Sequence, residues 1–583
     1  MQVKTKVCRL IMLFMGNLII LSMMSGFVLA SDWTQFQKDA YNSGITSDRA
    51  PISAPSESLS WDLYLSGSSG MVRTSAVNHV PLVVGDTIYV AEPGGNISAI
   101  DKRTGNLKWR NDAMESSSFQ LGTPAYSSQT DTLFIPRADG KLYFASASSG
   151  NVMRCLQAGS WLYTPVTYDE GRIFFGDTLD PTFQGHNGSF YGLYESNGTD
   201  CWTMPLDPPD DGGFYWAGAA VIGDFVVVAD SKDYVTSLYK NNGTIKQMLY
   251  LPTVFGISQA TIKEIKSSVT YSPETGRVYF TSKGGYCFAI AFNPDGTFDV
   301  SDKDVAEIGE STSTPCVYNG RVYVGSGGIY GGSGFLHCLE ESDLSAIWSF
   351  EANGPIKASP VVSTAYDNGD GEIYIYFTSN TGDSTVYCLK DLPENTEYEL
   401  RWEFTAPEEK TEYVLHGVSI SDGYVFFGND KGYLFGLTNE DCFLPIVDFS
   451  ANVSSGEPPL MVSFTDTSYD AHSWFWDFGD GNTSVEQNPV HIYETEGTYS
   501  VHLTAGNEYG NKTSVKTDYI YVDWNPWNDP GSENGAVISL PEVRNAIVYW
   551  KFSAPCPETG HVISLAEIRN LIVYWKFSSP MTV

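Results

Sequence analysis

One hydrophobic signature recurs along most of the chain. Around Gly85 it reads Gly85-Asp86-Thr87-Ile88-Tyr89-Val90, a polar turn running into β-branched and aromatic residues. A Gly-rich turn follows, then Ile97-Ser98-Ala99-Ile100-Asp101, then a Thr104-Gly105 turn ahead of Trp109. Short apolar runs bounded by Gly and Asp predict β-strands joined by hairpin turns. Kindred runs are GRIFFG at 171–176, GDFVVV at 223–228, GRVYF at 276–280, GRVYVG at 320–325, GEIYIYF at 371–377 and DGYVFFG at 422–428, with a weaker copy, DTLFIP, at 131–136. That makes eight copies at intervals of roughly 40–55 residues, a period that predicts four-stranded propeller blades. The last copy stops near Thr438, before an outer strand, and an orphan strand-like run, 59–65 around Trp61, precedes the first copy. The N-terminal run is therefore expected to complete the final blade and remove an exposed edge.

The spacing Ala99-x-Asp101-x-x-x-Gly105-x-x-x-Trp109 resembles the tryptophan-docking motif of propellers of the pyrroloquinoline-quinone (PQQ) dehydrogenase type, with Trp202, Trp348 and Trp402 in kindred places. Arg154 and Gln247 stand where two copies lack the tryptophan. The opening Trp33-Thr34-Gln35-Phe36-Gln37-Lys38-Asp39 with Asn42-Ser43-Gly44 resembles the entry segment of such proteins. The resemblance covers residues 31–443 and implies an eight-bladed β-propeller. The dehydrogenases of this fold set an adjacent Cys-Cys disulfide and a group of carboxylates against quinone and calcium. No two cysteines are adjacent in this chain, and no motif places the carboxylates. Neither a PQQ cofactor nor calcium is expected, and no catalytic or cofactor-binding residue is assigned.

After Cys442 the pattern changes. Residues 473–481 read SWFWDFGDG and contain Asp477-Phe478-Gly479, the tripeptide that holds magnesium in protein kinases. The other kinase signatures are missing from the sequence. Alternating apolar and polar positions from Asp448 onward predict a two-sheet sandwich instead. The set Trp474-x-Trp476-Asp477-Phe478-Gly479-Asp480-Gly481, then Asn488-Pro489-x-His491-x-Tyr493 and Gly497-x-Tyr499-x-Val501, resembles a PKD (polycystic kidney disease) domain over 444–523. The resemblance implies a spacer or a protein or carbohydrate contact module, with Asp477 and Asp480 structural.

Composition narrows the function. A formal charge of −35 argues against nucleic acid, which needs a basic surface. The positive Lys4, Lys6 and Arg9, the apolar stretch to Val28 and the small Ala30 predict a secretory signal over 1–30; only this segment, if uncleaved, would touch a membrane. Sequons at Asn96, Asn187, Asn197, Asn242, Asn452, Asn482 and Asn511 are possible glycosylation sites in an exported protein. The nine cysteines permit disulfides. Cys338 and Cys388 fall at equivalent strand positions, either as a bridge or as small buried apolar residues. The run Asp367 to Ile373 resembles a calcium loop, but the glycine register puts Tyr366 and Phe377 at ligand positions, so a hairpin turn is the expectation.

The tail repeats itself with a period of 25: 535–555 and 560–580 are nearly identical, each a short strand-like piece before an amphipathic helix. The pair, within 524–583, resembles dockerin-like half EF-hands. Glu533, Glu542, Glu558 and Glu567 are weak metal candidates, because Gly531 and Cys556 stand at the first ligand positions. The whole resembles archaeal cell-surface proteins. An exported, surface-associated, non-enzymatic binding protein is expected, its partner an envelope protein or a surface glycan. The alternatives are a quinone-dependent oxidoreductase and an envelope assembly scaffold.

Overall fold

The computed structural model describes residues 32–522 apart from 66–76, 113, 115–121, 179–187, 197, 207–211, 329–331, 368 and 393–395. The expected signal segment and the tandem tail, with Glu533, Glu542, Glu558 and Glu567, lie outside the described residues. Two compact units are present, one ending at Cys442 and one beginning at Phe443.

Among the described residues the first unit holds eight antiparallel four-stranded sheets, one carrying an added parallel strand. In chain order they span 82–111, 125–157, 167–205, 220–250, 270–307, 316–352, 361–405 and 419–437. The apolar runs read from sequence are the second strands. They are buried on both faces, as in Thr132–Pro136, Phe225–Ala229 and Ile373–Ser379, because each sheet is covered by a neighbour on either side. Fourth strands alternate, as in Ala346–Ala352, with one face open to solvent. The first strands of successive sheets from the second to the seventh lie side by side, as do those of the first and eighth. This is the arrangement of a β-propeller. Trp61–Tyr64 supplies the fourth strand of the last sheet, pairing antiparallel in the register Trp61↔Gly436 to Tyr64↔Tyr433.

Neighbouring sheets are joined by a ring seated on a glycine. Trp61 Nε1 donates to Lys102 O at 3.1 Å, and a Cβ on Gly105 of the first sheet would lie 2.6 Å from the Trp61 ring. Gly105 also has φ +68, so the turn excludes other side chains twice over. Trp202 repeats the contact on the next sheet, donating to Lys240 O at 2.9 Å above Gly243. Trp109 lies over Gly150, while Trp348 and Trp402 donate to Asp391 Oδ1 (3.2 Å) and Pro51 O (2.7 Å). Where Arg154 and Gln247 replace tryptophan, a phenylalanine from within the sheet takes over: Phe144 faces Gly198 and Phe225 faces Gly296. Residues paired opposite the indoles are small: Ala99, Gly192, Cys338, Cys388 and Gly436. Cys338 and Cys388 thus sit in different sheets beneath Trp348 and Trp402. Both are free thiols, as are all seven cysteines among the described residues, which corrects the disulfide alternative.

The entry segment, 33–53, crosses the inner ends of the sheets. It bonds to Val83 through Trp33, Tyr126 through Thr34, Tyr168 through Gln35, Val221 and Tyr271 through Ala40 and Tyr41, Val362 through Gly44 and Gly423 through Arg49. Those partners belong to seven of the eight sheets. Asn42 Nδ2 donates to Ala219 O and Val269 O at 2.9 and 2.8 Å, and Gln37 Nε2 to Pro360 O at 3.0 Å. Ile45–Thr46 adds a parallel strand to Val361–Ser363. Gln37, Lys38 and Asn42 adopt left-handed backbone, which lets the segment turn repeatedly to meet successive sheets.

The second unit is a sandwich of a three-stranded sheet (Phe449–Ala451, Leu460–Asp466, Val490–Tyr493) and a five-stranded sheet dominated by Gly497–Asn507 and Gly510–Val522. Trp476, fully buried, packs with Phe449, Phe464 and Phe478, and its Nε1 donates to Glu486 O at 2.9 Å. Asp477 ends a strand and accepts the Gly479 N–H at 3.0 Å. Asp480 accepts the Asn482 N–H at 3.0 Å and lies 2.8 Å from His491 Nε2, while the His491 ring stacks on Phe478. The kinase-like tripeptide is a strand end followed by a turn.

Trp61→Ala should lower the unfolding free energy of the first unit by about 2–4 kcal/mol, since an indole contact and its hydrogen bond are lost together. Urea melts followed by tryptophan fluorescence would show this. A second outcome concerns His79, 1% exposed, whose Nε2 accepts the Ala91 N–H (3.0 Å) while Nδ1 faces Val80 O (2.8 Å). Burial lowers its pKa to about 4. The native state holds the neutral ring while the unfolded chain protonates below about pH 6.5, so stability falls between about pH 6.5 and 4, by on the order of 3 kcal/mol. His79→Gln should flatten that part of the pH profile of the urea midpoint.

Candidate functional site

The loops that lead into the first strands converge on a cavity in the middle of the ring. Phe36 of the entry segment lines it, together with Thr123, Tyr163, Trp216, Thr312, Lys357 and His416. About 520 Å³ of space there is filled by no atom, part of it open to solvent. The opening is a cleft.

A chain of aromatic rings reaches the cavity, where Tyr163 and Trp216 line it. Trp161 and Tyr163 have ring centroids 5.5 Å apart, Tyr163 and Tyr215 5.2 Å, and Tyr215 and Trp216 4.8 Å. Lys266 Nζ stands 4.5 Å from the centre of the Tyr215 ring. These rings come from two loops. Trp161 exchanges main-chain hydrogen bonds with Thr178, and the Trp216 carbonyl accepts from the Gly218 N–H (3.1 Å) and the Ser268 hydroxyl (3.4 Å). Trp216 has φ +65. A bulky residue is strained in left-handed backbone, and such strain concentrates at binding and catalytic sites. Here it holds a large ring at the cavity.

The polar side of the cavity is sparse. Burial lowers the pKa of Lys357, with Glu310 opposing that shift. With the Asn380 amide turned so that its nitrogen donates to Val414 O (3.2 Å), its oxygen accepts from Lys357 Nζ (3.2 Å). Burial also lowers the pKa of His416, to about 3, with His79 adding to the effect. The imidazole is neutral at ordinary pH and available as a hydrogen-bonding group.

None of the residues lining the cavity is a carboxylate, and among the described residues no three His, Cys, Asp or Glu side chains form a metal cluster. The sequence motif residues Trp61, Ala99, Asp101, Gly105, Trp109, Trp202, Trp348 and Trp402 lie between sheets, away from this cleft, and Trp476, Asp477, Gly479, Asp480 and Gly481 belong to the sandwich. Asp367 accepts the Gly369 and Gly371 N–H groups at 2.8 Å in a hairpin turn. Of the sequons, Asn242, Asn452, Asn482 and Asn511 are exposed and Asn96 is partly so, while Asn187 and Asn197 lie outside the described residues. The sequence reading missed Trp161, Tyr163, Tyr215, Trp216, Lys357 and His416. The signal available was the local pair Tyr215-Trp216 beside Gly212-Gly213, aromatic residues in a Gly-rich stretch with no strand to fill.

Comparison with known proteins agrees with the two units. The family model described as "Outer membrane protein assembly factor BamB", built of PQQ-like repeats, matches residues 52–160 and 97–327, and a PKD domain model matches 444–522. The chain thus carries BamB-like propeller repeats and a PKD domain. Quinohemoprotein alcohol dehydrogenase from Comamonas testosteroni is similar in fold, with a TM-score of 0.51 at 13% identity over 70% of this chain and 80% of that one. BamB from Moraxella catarrhalis superposes with a TM-score of 0.47 at 13% identity, over 65% of this chain and 98% of that one. Collagenase ColQ1 of Bacillus cereus (strain Q1) is 33% identical over 118 residues, 20% of this chain. The chain spans 11–12% of the length of the first collagenases it matches.

The strain at Trp216 is measurable. Glycine is ordinarily less stable than alanine, but at φ +65 the order reverses. Trp216→Gly should be more stable than Trp216→Ala by about 1 kcal/mol in urea melts.

Proposed function

We propose that the first unit is a closed eight-bladed propeller and that the protein is an exported, non-enzymatic binding protein which takes a surface glycan at the cleft. The observation that carries this reading is the chain of rings from Trp161 to Trp216, of which Tyr163 and the strained Trp216 line the cavity. Aromatic faces in a mostly apolar cleft with few polar groups suit the apolar face of a sugar ring, and Lys357 and His416 supply hydrogen bonds to hydroxyl or carboxylate groups. The PKD domain serves as a spacer or a second contact surface. Export fits the N-terminal apolar stretch and the exposed sequons. Among the described residues no helix is long and apolar enough to cross a membrane.

A second reading rests on the BamB family match: the propeller is an assembly scaffold that docks an envelope protein. Binding of the full chain to arrays of surface polysaccharides separates the two. Glycan binding should fall at least tenfold in Tyr163→Ala and in Trp216→Ala, with circular dichroism unchanged. Binding that survives both substitutions, or no glycan binding alongside capture of an envelope protein, would reject the glycan reading.

A further inference from the structure

The turn between second and third strands has one design in five sheets. The residue opening it bonds to the residue four ahead, and the fourth residue's N–H bonds back to the opener. This occurs at Glu92/Gly95, Arg137/Gly140, Asp230/Asp233, Ser282/Gly285 and Asn429/Gly432. The fourth residue always has positive φ, and in every case but one it is glycine. The exception is Asp233, φ +66.

An aspartate there sits in a crowded place. At the matching Gly140, a Cβ would lie 2.0 Å from Gly159 O and 2.5 Å from Ser160 O, carbonyls of the connection to the next sheet. After the fourth sheet that connection is longer and contains two short helices, Leu251–Phe255 and Gln259–Ile262, which leaves space for the side chain. Asp233 is 0% exposed, and neither of its carboxyl oxygens has a hydrogen-bond partner. Asp230, 3% exposed, accepts the Lys232 and Tyr234 N–H groups on Oδ1 at 2.8 and 3.2 Å. A strained, buried carboxyl with two unsatisfied oxygens is destabilising unless something absent from the protein chain satisfies it.

We propose that Asp230 and Asp233 are the carboxylate ligands of a hard divalent cation of the calcium type at the head of the fourth sheet. Main-chain carbonyls and water would complete the oxygen shell, since among the described residues no third acidic side chain joins a cluster. This departs from the sequence expectation of no metal.

A proton is the rival occupant. It neutralises Asp233 but leaves both the new O–H and the remaining oxygen without partners. A cation satisfies both oxygens. The charges around Asp233 also favour a cation. Asp230 and Lys232 are on its own turn, and Glu264 faces it from the connection, already paired with Lys266 (3.0 Å) and Lys283 (3.4 Å).

The test uses the full chain stripped with chelator. Calcium titration by calorimetry, with terbium luminescence sensitised by Tyr234 and Tyr250 (ring centroids 4.9 Å apart), reports occupancy. Asp233→Asn should bind one calcium fewer than the natural chain and lose the matching rise in melting temperature. Asp233→Gly, which restores the residue of the sister turns, gives the same contrast should the asparagine variant misfold. Equal calcium stoichiometry and equal thermal shifts in the natural chain and in Asp233→Gly, or no calcium uptake at all, would overturn the proposal in favour of a buried proton.

Discussion

A ring of sheets has an inner edge as well as an outer one. Each first strand turns one side toward the central axis, and main-chain groups there need partners as much as those on any edge strand. Segment 33–53 answers that constraint. Its main chain and the amides of Gln35, Gln37 and Asn42 supply donors and acceptors to one sheet after another. The same segment lines the cleft with Phe36 and leads to Trp61–Tyr64, the last strand of the eighth sheet. The added strand and part of the cleft lining come from the same end of the chain.

Between the sheets the governing contact is a flat ring on a glycine in left-handed backbone. The positive φ and the lack of a Cβ are both needed, which ties sequence to structure tightly at Gly105 and Gly243. The contact is conserved in kind rather than in source. Phe144 and Phe225 come from third and second strands, yet fill the place that Trp109 or Trp202 fills from a fourth strand. Volume over glycine is what the interface requires.

That distinction explains what the sequence showed. The second strands were legible because burial on both faces leaves an unbroken apolar run. The indole-bearing strands were legible because the motif has fixed spacing. The first strands, such as Leu82–Val84 and Thr270–Ser272, were not, since three residues carry no periodicity. The cleft was illegible for another reason. Tyr163, Trp216, Lys357 and His416 lie in four separate connections, and only closure of the ring brings them to one place. Asp233 was hidden because an aspartate in a turn is ordinary by composition, and its oddity appears only beside Gly95, Gly140, Gly285 and Gly432.

The entry segment also sets an order of events. It joins residues very far apart in sequence: Gln37 with Pro360, 323 residues away, and Arg49 with Cys442, 393 away. The part of the chain synthesised first thus acquires its partners last. Until the eighth sheet exists, the early sheets carry an open rim and the strand edge that 61–64 will later cover is absent. Contacts of such long range make for slow completion and a long-lived partly folded chain. Under the export proposed above, that delay is useful, because the last knot is tied only when the whole chain is on the same side of the barrier.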